Sequence, residues 1–176
     1  MTDAQQPGYS RIETATASIE VTVTELDPES AQLALQRPQP VDQSDTAADW
    51  MAPELYEAWL YVQRDLVSSG ALIPILTESI GYDTEIQVWA AVWWPDGGGR
   101  GIGTLKQASL PERVAYLADH VQEAEVEALW SAGRSAVWPH CPKHPNNHPL
   151  HPEVRDGIAV WACTDSEVIA PIGELG

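Results

Sequence analysis

Phenylalanine is absent from this sequence of 176 residues, and lysine and cysteine occur twice each. Two cysteines exclude a disulfide framework and leave room for one bridge, Cys141–Cys163, in a chain that is exported or exposed to air. Bases are scarce: 9 Lys and Arg stand against 26 Asp and Glu, for a formal net charge of −17. A nucleic-acid backbone needs basic partners, so direct nucleic-acid binding is disfavoured. The sequence holds no run of eighteen apolar residues, so no transmembrane helix and no membrane partner are expected. Its first residues, MTDAQQPGYS, lack both a basic stretch and an apolar core. A secretory signal is therefore not expected, and the expected location is cytoplasmic.

Catalytic signatures are missing too. There is no HExxH, no GxSxG, no calcium-loop spacing of acids and no internal repeat. The glycine run GGGRGIG is followed by Thr104 and not by the lysine–hydroxyl pair (GK[ST]) of a phosphate loop. The absence of Phe beside eight Trp, and two Lys beside seven Arg, read as the codon composition of a GC-rich genome.

Hydrophobic residues make up 44% of the chain, enough for a folded core. Acidity sits in the front half: residues 1–85 carry −12 and residues 86–176 carry −5. Such a surface serves solubility and attraction to a basic partner.

The local patterns define an α+β chain with short antiparallel hairpins and two to three helices. Residues 1–16 read as a flexible tail. In SIEVTVTEL (18–26), apolar and polar residues alternate as in a half-buried strand. Asp27-Pro28 opens a short helix ending near Gln36, and 37–49 is a Pro- and Asp-bearing connection. A helix is expected from Pro53 to Ser68, stopped at Gly70, with Leu55, Trp59, Val62 and Leu66 on its buried face. ALIPIL (71–76), broken by Pro74, is at best an edge strand. Residues 85–107 read as a hairpin turning at Pro95–Gly99. Its tryptophans are expected in the core, with Val88 and Val92 on the opposite sheet face; the alternative makes Trp89 or Trp93–Trp94 an interface anchor. A long helix runs from Ser109, its cap, to about Ser131, stopped by Gly133. Leu110, Val114, Leu117, Val121, Ala124 and Ala128 form its buried stripe. Asp119, Glu123, Glu125 and Glu127 are assigned to the solvated remainder, and His120 to the surface or its boundary.

The chemistry concentrates in HCPKHPNNHPLH, 140–151, which holds four of the five histidines and one of the two cysteines. Strands are expected at 158–163 and 168–172, with a third at 136–138, and prolines 142, 145, 149 and 152 stiffen the loop between. Cys141 and His144 have the C-x₂-H spacing of a zinc turn, and His148 follows at H-x₃-H. Cys163, at the end of IAVWAC, is placed to bring the fourth donor. The expected set is Cys141, His144, His148 and Cys163 around a structural zinc with no open position for water. His151 could replace His148, and Asp165 could compete. Such a metal would staple a small module.

The segment WPHCPKHPNNHPLHPEVRDGIAVWACTDSEVIAPIGEL resembles the C-terminal tail of small uncharacterised actinobacterial proteins. Their pattern is WPxCPxHPxxHPL, then AVWxCP and a final IGxL. The likeness covers about residues 137–175 and departs at Thr164, where proline is usual. It implies a zinc-ribbon-like tail and an actinobacterial or actinophage source, with no activity to carry over. The expected organisation is a tail (1–16), an α+β domain (17–135) and a zinc-ribbon-like β module (136–176).

Three functions are open at this point. The first is a non-enzymatic acidic zinc protein with a structural or protein-interaction role, its partner a protein of basic character. The second is a small hydrolase using His140, His151, Glu153 or Asp165 near the loop, although no nucleophile–base spacing supports it. The third is an acidic inhibitor, DNA mimic or virion component.

Overall fold

The computed structural model describes residues 47–78, 83–145 and 147–176. The tail, the strand at 18–26, the helix at 27–36 and most of the connection after it lie outside the described residues. Among those described, three helices and two three-stranded antiparallel sheets form an α+β fold.

After a single turn, α1 (Ala47–Trp50), comes α2 (Pro53–Ser68). Proline in its first turn costs no intrahelical bond, and Gly70 at φ +69 ends it. Leu55, Ala58, Trp59, Val62 and Leu66 are buried, which is the stripe that the spacing of three and four sets.

The first sheet has the order β1 (Ile75–Glu78), β2 (Gln87–Trp93), β3 (Gly99–Leu105). Pro74 lies just outside β1, which is an edge strand in this sheet. Val88, Ala90 and Val92 of β2 are buried with Ile102 and Thr104 of β3. The opposite face carries the tryptophans, contrary to the core placement expected from the sequence. Trp93 is 37% exposed and Trp89 half-buried; Trp94, just past the strand, is the buried one. The reason is in β3, where Trp89 pairs with Gly103 and Trp93 with Gly99. Each indole lies against a glycine, so the rings find apolar contact without entering the core.

Helix α3 (Leu110–Ser131) runs beside α2 in the same direction. Arg113 pairs with Glu57 near the two starts (2.8 Å), and Arg134 donates to the Gly70 carbonyl past the two ends (3.4 Å). Ser109 opens the helix: its N–H and hydroxyl both donate to Glu112, at 2.8 and 2.7 Å. Gly133 at φ +68 closes it. The helix also covers the outer edge of β3. Gly103 N–H donates to His120 Nδ1 (3.2 Å), Thr104 Oγ1 donates to the Arg113 carbonyl (2.9 Å), and Arg100 pairs with Glu123 and Glu127. A covered edge cannot template further strands.

One assignment on α3 is overturned. Glu125 is fully buried, not solvated. Leu72 N–H donates to its Oε1 (2.7 Å) and Trp94 Nε1 to its Oε2 (3.2 Å). Burial raises its pKa to about 7. The helical spacing contained the signal: position 125 continues the buried row Ala118, Val121, Leu129.

The second sheet is a meander of β4 (His151–Arg155), β5 (Ile158–Ala162) and β6 (Val168–Pro171). Its third strand is 151–155, not 136–138 as the sequence suggested. Pro152 fits because β4 is an edge of this sheet. In β5, Ala159, Val160, Trp161 and Ala162 are all buried, as a central strand covered on both faces requires. Trp138, Leu150, Trp161, Cys163 and Ile172 join the same buried cluster as Leu55, Val62 and Leu117.

Candidate metal centre

The loop 141–148 is wound by two successive turns. His144 N–H donates to the Cys141 carbonyl (3.2 Å), and Asn147 N–H to the His144 carbonyl (3.1 Å). These turns set the side chains of Cys141, His144 and His148 toward one point. The base of the loop is closed by Leu150 N–H donating to the Pro139 carbonyl at 2.9 Å. Gln122 of α3 donates to the carbonyls of both Trp138 and Leu150, which flank the loop. Nothing in the sequence pattern marked Gln122, because its role depends on two carbonyls brought to it by folding.

Cys163 arrives from the other side, at the end of β5. Its N–H donates to the Glu167 carbonyl and its carbonyl accepts from Ser166 N–H, both at 2.8 Å. Ser166 takes φ +63 to make that turn. Both sulfurs are fully buried, and both imidazoles are partly exposed.

The four donor atoms lie within 4.8 Å of one another, close enough to hold a metal ion. Cys141 Sγ stands 3.7 Å from Cys163 Sγ and 3.6 Å from His144 Nδ1. Cys163 Sγ is 3.4 Å from His144 Nδ1 and 3.7 Å from His148 Nε2, and the two ring nitrogens are 3.1 Å apart.

Of the remaining ring nitrogens, that of His148 is hydrogen-bonded and that of His144 faces a carboxylate. His148 Nδ1–H donates to the Pro149 carbonyl at 2.9 Å, which leaves the Nε2 lone pair facing the cluster. His144 Nε2 faces Asp165 Oδ2 at 3.8 Å. Partners behind ligating histidines select the tautomer and raise ligand basicity. Lys143 and Glu167 form an ion pair between the loop and the turn after β5.

The other candidates stand apart from this group. His151 lies on β4, its Nε2 3.8 Å from Glu153 Oε2. Asp165 is behind His144, on the far side of the ring from the sulfurs. His140 is exposed, its backbone bridged to Pro149. No helix among the described residues is long and apolar enough to cross a membrane.

No family model, curated protein or solved structure matches the chain. Function is therefore argued from the site's own chemistry.

Proposed function

We propose that Cys141, His144, His148 and Cys163 hold one structural zinc ion, and that the protein is a non-enzymatic, acidic, protein-interacting component. The carrying observation is the set of donor–donor distances. Tetrahedral zinc, with bonds of about 2.3 Å to sulfur and 2.0–2.1 Å to nitrogen, sets edges of about 3.8 Å (S–S), about 3.5 Å (S–N) and about 3.3 Å (N–N). Five of the six corresponding separations here are 3.7 Å, 3.4–3.7 Å and 3.1 Å, and the sixth, Cys141 Sγ to His148 Nε2, lies within 4.8 Å. Sulfur and imidazole together favour zinc over magnesium or calcium, which take oxygen.

Four protein donors fill the tetrahedron and leave no place for a substrate or an activated water, which supports a structural role over a catalytic one. The ion would tie the 141–148 loop to the end of β5, at one end of a three-stranded meander. This arrangement supports the zinc-ribbon-like reading of the tail. The net charge of −17 supports a basic protein as partner.

The test is metal content per chain, by mass spectrometry on untagged protein purified without chelator. About one zinc per chain is expected, falling to near none in Cys163→Ser. Full occupancy in Cys163→Ser would show the ligand set to be wrong.

A further inference from the structure

The two cysteines that would ligate the metal are also placed to react with each other. We infer that Cys141 and Cys163 form a peroxide-sensitive switch, which closes to a disulfide and releases the metal. The inference rests on the zinc reading and adds a regulation to that site.

Three observations carry it. First, the sulfurs are 3.7 Å apart across 22 positions, so a bond of about 2.05 Å requires them to close by only about 1.6 Å. Second, the chain has no third cysteine to compete for either partner. Third, both sulfurs are buried, but the partly exposed ring of His144 touches each of them, at 3.6 Å (Cys141) and 3.4 Å (Cys163), so the pair lies one side chain from solvent. Cys163 Sγ is 4.0 Å from Oγ1 of the exposed Thr164, which itself lies 3.2 Å from His148 Nε2. Cys141 Sγ has Cys163 and His144 as its polar neighbours.

The order of events follows. The Cys163 thiolate attacks one oxygen of hydrogen peroxide. The O–O bond breaks, hydroxide leaves and takes a proton to become water, and Cys163 becomes a sulfenic acid. The Cys141 thiolate then attacks that sulfur. The S–S bond forms, the S–O bond breaks, and the second hydroxide leaves as water after taking a proton. Two thiolates lose two electrons in total, and one peroxide is reduced to two waters. With the disulfide closed, both anionic donors to the ion are gone. Two imidazoles remain, and they hold zinc far more weakly than the complete set.

The experiment uses the full-length, zinc-loaded protein. Hydrogen peroxide is added in steps, released zinc is read with a chromophoric chelator, and free thiols and intact mass are followed together. One zinc should appear for every two thiols lost. The demetallated product should be lighter than reduced protein by two hydrogens, and reductant plus zinc should restore the start. Cys141→Ser, which lacks the resolving thiol, should trap a sulfenic acid at Cys163 that a dimedone probe labels. Zinc retained under excess peroxide, stable oxygen adducts on both sulfurs, or disulfide-linked dimers would each overturn the switch and leave the staple standing. Protein that holds no zinc before any peroxide is added overturns the staple and the switch together.

Discussion

Trp161 Nε1 donates to Asp65 Oδ2 at 2.7 Å, joining β5 to α2 across 96 positions. The same carboxylate accepts Gly173 N–H (2.7 Å) and Leu175 N–H (2.9 Å), so one buried aspartate fixes both the central strand of the second sheet and the chain beyond β6. Replacing Asp65 with Ala leaves one buried donor and two partly buried ones unpaired, each at a cost of up to about 1–3 kcal/mol. A loss of about 3–5 kcal/mol is expected, with Asp65→Asn milder because one oxygen still accepts. Urea unfolding at constant pH checks this. An Ala variant within about 1 kcal/mol of the parent would remove Asp65 from its anchoring role.

Glu125 ties stability to pH in the direction opposite to most carboxylates. Its folded pKa of about 7 lies above the unfolded value of 4.5, because burial disfavours the charged form. Its contribution is therefore full below pH 4.5 and is lost as pH rises to about 7. The ceiling on the loss is about 3 kcal/mol. His120, whose pKa is lowered chiefly by burial, contributes stability that is present above its unfolded value and is lost as pH falls from there through its lowered folded value. The Glu125 term is isolated by comparing Glu125→Gln with the parent at each pH. The gap between them should shift in the variant's favour from pH 5 to pH 8; a gap that stays constant would mean Glu125 does not titrate there.

The glycines of β3 are not equivalent. A Cβ at Gly103 would stand 2.8 Å from both Trp89 Cδ2 and the Val88 carbonyl oxygen. At Gly101 the nearest atom, Trp89 Cε3, is 3.6 Å away, an ordinary contact. Gly103→Ala should cost about 1–3 kcal/mol through forced displacement of backbone and ring. Gly101→Ala should be neutral or slightly stabilising, since it lowers unfolded-chain entropy. Thermal melts of the pair decide it, and equal melting temperatures would refute the ring-on-glycine account.

Behind the proposed zinc, Asp165 is expected to tune affinity without ligating. Asp165→Asn should keep one zinc per chain and weaken binding by about 10-fold, the low end for such partners because Asp165 is exposed. Competition against a chelator of known affinity measures it. Loss of all metal would instead place Asp165 among the ligands.

Much of the architecture is written in local pattern. Pro53 and Gly70 bracket α2, Ser109 and Gly133 bracket α3, and the Pro95–Gly99 turn sets the β2–β3 hairpin. These features depend on backbone preferences within a few residues, which a sequence displays directly. Strand β4 escaped because Pro149 and Pro152 argue for irregular chain, while an edge position tolerates proline. Asp65 and Glu125 escaped for a related reason. Residue type suggested solvent for Glu125 and left Asp65 unmarked, while position put Asp65 three residues after Val62 and Glu125 four after Val121, on buried rows. Position prevails where donors such as Trp161, Trp94 and Leu72 are delivered to the carboxylate.

By itself the sequence determined the helices, the hairpin and the identities of four soft donors, since spacing and side-chain chemistry are local properties. Only the tertiary structure decided that Gln122 holds the loop's base and that two acids lie inside. Each of those is an encounter between segments 16 to 110 positions apart. Such encounters are fixed by which apolar faces bury one another, and no short stretch of sequence contains that information.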